Sequence, residues 1–148
     1  GVSVYEPQEV EYLSGCPFEL AFQFPLNVLD RRFEQVGMPQ GMRYARSIFM
    51  QGVLASENGL VEDAPEPLLN IQRDYHSLLD KRKIDPIELA LSFVFYAKNI
   101  DYFLIGVDTV NQLNEILDVE IDEFNERKDV DSSQFEFDSK WLNPRQWK

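Results

Sequence analysis

Ser3, Tyr5, Gln23, Asn27, Arg46, Ser47, Gln51, Gly106 and Asp108 stand in or just beyond short strand-like runs of the chain. A serine hydroxyl both donates and accepts, a glutamine amide does both through separate atoms, and an arginine offers a flat cation that can stack or pair with phosphate. Gln23 lies between Phe22 and Phe24 in the strand-like run Phe18 to Phe24, so its amide needs a partner, either neighbouring side chains or a bound carboxamide. Gly106-Val107-Asp108 makes a turn before Thr109, and Gln112 three positions further on completes a capping box. A strand, a glycine turn and a capped helix bring unpaired N–H groups and a positive dipole end to the carboxyl edge of a sheet. Phosphates are held at such edges. The same pattern also serves an ordinary βα unit with no ligand. No nucleophile–base pair and no metal-spaced cluster occurs, so no residue is assigned to catalysis or to a metal. His76, in a polar helical stretch, is expected at the surface.

Four strands and their helices must position these residues. Val2–Tyr5, Phe18–Phe24, Met42–Ser47 and Tyr102–Ile105 read as strands, the last a buried one, and Pro25 stops the second. Glu6-Pro7 opens a short helix that Gly15 ends. Pro65 to Lys83 reads as a helix with Leu68, Leu69, Ile71, Tyr75, Leu78 and Leu79 as its apolar set, after a long connection through Gly59. Asp85-Pro86-Ile87-Glu88 starts another, with a cap, a proline at the first helical position and an acid at the third. Val110, Leu113 and Leu117 share one face of the helix after Thr109. Val119–Arg127 reads as a further polar helix, and Phe135, Phe137, Trp141 and Trp147 belong to an irregular aromatic tail.

Strands alternating with helices predict parallel βα units, and four such units are half of an eight-stranded barrel. The fold class expected is therefore α/β, a partial (β/α)8 TIM barrel: its last four βα units plus an extra carboxyl-terminal helix and tail. The 148 residues make a single domain, with a core over 1–120 and the helix and tail over 119–148. A small doubly wound domain also fits the length. The chain opens on strand-like residues, and mature proteins seldom begin inside a core strand, so a preceding segment is expected.

Hydrophobic content of 44% with 13% aromatic residues excludes a disordered chain. A net charge of −12 with no Lys/Arg cluster argues against nucleic acid and anionic membranes as partners. Cys16 is the one cysteine, so a disulfide framework is excluded and a reducing, cytoplasmic setting is the default. No apolar run reaches the roughly 18 residues of a membrane helix.

Taken in order, GVSVY, FQFPLNVLDRR, YARSIFMQGVLA and LALSFVFYAKNIDYFLIGVDTVNQLNEIL resemble the carboxyl-terminal half of an aldo-keto reductase, over roughly residues 1–120. The resemblance implies an eight-stranded barrel that reduces carbonyls with NAD or NADP and needs neither metal nor flavin. Ser3 and Gln23 would hold the nicotinamide carboxamide, although Val4 replaces the usual asparagine. The family's A-Y-S-P-L-x-x-G turn matches Ala45 to Gly52, with Arg46 where a stacking aromatic is common and Ile48 where proline is common. Ser47 and the chain through Phe49 and Gln51 would contact the pyrophosphate. Gly106, Thr109, Gln112 and Glu115 match the adenosine-phosphate positions, with Asp108 alongside. Many relatives carry Lys or Arg there to pair the 2′-phosphate of NADP. Neutral groups beside a carboxylate make NAD slightly favoured.

The family's Asp, Tyr, Lys and His tetrad has no counterpart in this sequence, and without its proton donor the chain alone is expected to be inactive and to bind cofactor weakly or not at all. The LDRRF, NPRQW and RSIFMQG segments are similar to a bacterial subgroup linked to surface-polysaccharide and sugar biosynthesis. A half-barrel leaves two strand edges and an inner face without partners, so a homo-oligomer covering that face is expected. A non-catalytic nucleotide-binding or interaction module is the competing reading.

Overall fold

A computed structural model describes residues 1–56, 64–121, 129–135 and 138–147. Four strands, β1 (Val2–Ser3), β2 (Phe22–Pro25), β3 (Arg43–Arg46) and β4 (Tyr102–Phe103), form one sheet in the order β1-β2-β3-β4, and every neighbouring pair is parallel. The helices are α1 (Pro7–Leu13), α2 (Glu66–Arg82), α3 (Pro86–Phe95) and α4 (Val110–Leu117). The molecule is thus mixed α/β with a sequentially ordered parallel sheet. No helix among the described residues is long and apolar enough to cross a membrane.

The helix starts follow local chemistry. Asp85 accepts a hydrogen bond from the Glu88 N–H ahead of Pro86, and Glu6 with Glu9 forms a capping box around Pro7. Lys83, in the left-handed conformation, ends α2. Alternation along the strands sends Phe22, Phe24 and Ala45 into one buried cluster with Leu68, Ile71, Tyr75 and Leu79 of α2 and Leu89, Ala90 and Val94 of α3. The opposite face carries the paired row Ser3, Gln23, Tyr44 and Tyr102, none of them buried. Parallel sheets are ordinarily covered on both faces. Among the described residues, helices cover this one on one face only.

Several expectations change. Between β2 and β3, where the sequence reading names no helix, the chain is an irregular segment: Asn27 Oδ1 accepts from the N–H groups of Leu29 (3.0 Å) and Asp30 (2.8 Å), which diverts the backbone from helical bonding. Leu26, Val28, Leu29 and Phe33 of that segment are nevertheless buried. β2 starts only at Phe22, and Phe18 is 73% exposed. β4 is a two-residue edge strand rather than a buried one, with Tyr102 52% exposed. Pro25 is the last residue of β2, paired with Arg46, rather than the first residue beyond the strand. His76 is buried, and its Nε2 lies 3.0 Å from the Val53 carbonyl oxygen. A polar helix face can hide a histidine where a neighbouring loop folds over it. Residues 119–121 are not helical, and the rest of the helix expected over Val119–Arg127, the connection at Gly59 and Phe137 lie outside the described residues. The tail forms short 3-10 turns over Ser132–Gln134, Ser139–Leu142 and Pro144–Gln146.

Candidate functional site

Beyond the carboxyl end of β3 the chain makes a tight turn in which Ser47 (φ 58°), Met50 (φ 46°) and Gln51 (φ 52°) are all left-handed, followed by Gly52 at φ 94°. A non-glycine residue in that region costs on the order of 1 kcal/mol or more, so the surroundings must impose it. Burial of Ile48 and Met50 anchors the turn from below, and the Asn27 amide donates to the Ser47 carbonyl at 3.0 Å. Asn27 is therefore a positioning group for the turn.

After β4, Thr109 caps α4 by accepting from the Gln112 N–H (3.2 Å), while Gln112 Oε1 accepts from the N–H groups of Asp108 (2.8 Å) and Thr109 (3.2 Å). The capping box read from the sequence is present. It also has a cost for ligand binding, because it occupies three N–H groups that a phosphate at the helix start would use.

The two turns face each other across a cleft of about 720 Å³. Ser47, Phe49 and Gln51 line one side and Gly106, Asp108, Gln112 and Glu115 the other. The volume lies within the range of small-molecule and cofactor sites. Ile48, Ile87, Leu104, Ile105 and Ile116 also line it, and among the described residues no Lys or Arg does. Thr109 does not line it and acts through the cap. Gly106 has open space around it and no left-handed backbone, so the turn there does not require glycine. The residues under conformational constraint are those of the β3 turn, which lack the glycine cue that would have marked them in the sequence.

Ser3, Gln23 and Arg46 lie outside the cleft lining, at the carboxyl half of the sheet. The Ser3 hydroxyl donates to Gln23 Oε1 at 3.1 Å, which leaves the Gln23 amide nitrogen directed elsewhere. Arg46 Cζ lies 4.0 Å from the Tyr5 ring centroid, and its guanidinium donates to Ser47 Oγ (3.2 Å) and the Val4 carbonyl (3.1 Å). Burial, with the nearby Arg145 cation adding to it, lowers the Arg46 pKa from its ordinary value, against a smaller opposing influence of Tyr5. Arg145 Cζ lies 3.9 Å from the same ring. Sequence reading missed Arg145, because only folding brings the tail to β1. Among the described residues no group of His, Cys, Asp or Glu is arranged to hold a metal.

No family model and no curated protein matches this chain.

Proposed function

We propose that the chain is the carboxyl-terminal, cofactor-binding half of an aldo-keto reductase-type barrel, whose parent protein reduces carbonyls with NAD(P)H. The observation that carries this reading is the meeting of Ser47, Phe49, Gln51, Gly106, Asp108, Gln112 and Glu115, from two distant stretches, around one cleft of cofactor size. The Ser3–Gln23 hydrogen bond supports a shared role for that pair toward a carboxamide. With no cation in the lining among the described residues, a dianionic 2′-phosphate would lack paired charge, which favours NAD over NADP. Alone, the chain has no counterpart of the Asp/Tyr/Lys/His tetrad and does not turn over substrate. Two copies cover each other's open sheet faces.

A second reading, a non-catalytic nucleotide-binding or interaction module, draws on α4, where Val110, Leu113 and Leu117 are 73%, 41% and 71% exposed on one face.

Titration of the chain with NADH and NADPH, followed by nucleotide fluorescence, tests the cofactor reading. The cofactor reading expects weak saturable binding, NADH at least as tight as NADPH, and its loss in Gly106→Trp, which fills the cleft from an open position. Clear preference for NADPH, or binding untouched by Gly106→Trp, overturns it.

A further inference from the structure

In a chain of net charge −12, a free arginine is expected to find a carboxylate, yet Arg46 and Arg145 both approach Tyr5. Their Cζ atoms lie 4.0 and 3.9 Å from the same ring centroid, so both guanidiniums pack on the one ring. Carboxylates are close by, and the Glu9 charge acts on both arginines, but none is within ion-pair distance of either among the described residues. Glu6 pairs with Arg32 at 2.8 Å, and Glu9 Oε2 accepts from the N–H groups of Tyr5 (2.6 Å) and Glu6 (2.8 Å). Among the described residues neither Arg46 nor Arg145 forms an ion pair, and Arg46 Nε is buried without an acceptor.

The two cations differ in what they can still do. Arg46 is fixed by the Val4 carbonyl and Ser47 Oγ, and it sets the plane of the Tyr5 ring. Arg145 is exposed, and its side chain donates no hydrogen bond among the described residues. Its backbone is locked by the Asn143 side chain, which accepts from the Arg145 N–H at 3.1 Å, and by the Trp147 indole, which donates to the Trp141 carbonyl at 2.9 Å. A guanidinium whose plane is fixed by stacking and whose donors are unused is preorganised for bidentate recognition of an oxyanion.

The geometry points to an oxyanion-binding site at the carboxyl end of β1, in which Arg145 supplies the donor fork, Tyr5 orients it and Arg46 adds the second positive charge. The ligand is a small molecule bearing a carboxylate or phosphate group. The site goes beyond the cofactor reading and stands or falls without it, since its test contains no nucleotide.

Both tryptophans of the chain, Trp141 and Trp147, flank Arg145, so intrinsic fluorescence reads the site. The full chain is titrated with sodium malonate and with inorganic phosphate, at ionic strength held constant with sodium chloride. A saturable change is expected with at least one anion, and the tighter of the two names carboxylate or phosphate as the recognised group. Arg145→Ala is expected to weaken binding by about tenfold or more, the worth of a charge-assisted hydrogen bond. Arg145→Lys, which keeps the charge without the fork, recovers only part of this, and Arg73→Ala, on the exposed face of α2, leaves binding unchanged. No response beyond the chloride control, or equal binding by Arg145→Ala, overturns the proposal.

Discussion

Asp30 shows how one buried charge is tolerated here. Its side chain is 1% exposed, and its two oxygens accept from Arg32 Nε (2.8 Å) and Nη2 (2.9 Å), a bidentate pair. Hydrogen bonding to Asp30 raises the Arg32 pKa further above its ordinary value, so the Arg32 guanidinium stays charged throughout the accessible pH range. Arg32→Ala is expected to cost about 3 kcal/mol in chemical denaturation, because it strands the Asp30 carboxylate. Tyr75 shows the opposite case, a hydroxyl buried with no hydrogen-bond partner among the described residues. Tyr75→Phe removes an unsatisfied group and keeps the ring, so stability is expected to stay level or rise by about 1 kcal/mol. A measured loss above that would reveal a partner for the hydroxyl. Glu9 supplies the pH dependence. Hydrogen bonds from the Tyr5 and Glu6 N–H groups hold its pKa below the ordinary 4.5. A depressed carboxylate stabilises the fold above its unfolded value and loses that contribution as pH falls through the lower, folded one. The Tyr5 and Glu6 amide resonances should therefore titrate together below pH 4.5, and Glu9→Gln should abolish the step.

Two glycines separate what a turn needs from what it tolerates. Gly41 has φ 141°, and a Cβ there would overlap the Leu20 carbonyl oxygen, so this glycine fixes the approach to β3. Gly41→Ala should cost about 1–3 kcal/mol in thermal or chemical unfolding, whereas Gly106→Ala should be close to neutral. The β3 turn inverts the usual cue, with left-handed Ser47, Met50 and Gln51 in place of glycines. α4 spans eight residues and buries none of them, so its cap matters more than its packing. Thr109→Ala should remove about 1 kcal/mol from a helix with little else to hold it. Hydrogen exchange should then show α4 opening locally while α2 and α3 stay protected.

The whole molecule is defined by what its sheet leaves open. β1 and β4 are both edges, and the row Ser3, Gln23, Tyr44 and Tyr102 faces away from the helices. Tyr44 and Tyr102 stack at 5.3 Å on that face, which gives a partner an aromatic surface to cover. Self-association is expected in sedimentation at micromolar concentration, and Tyr102→Lys should shift the chain to monomer by placing a charge on the edge strand. A wild-type chain that stays monomeric under those conditions counts against paired half-sheets.

The sequence by itself determined the local elements. Pro86 after Asp85, the Thr109–Gln112 box and the Phe22/Phe24 parity are short-range signals, and the strands and helices that they mark are present. They could be read because capping and alternation depend on residues a few positions apart. Tertiary structure alone decided the rest: the burial of His76 under the Val53 carbonyl, the exposure of α4's apolar stripe, and the arrival of Arg145 against Tyr5. Periodicity shows that a face is apolar, but only packing decides what covers it. A contact across 140 positions leaves no trace in either segment that makes it.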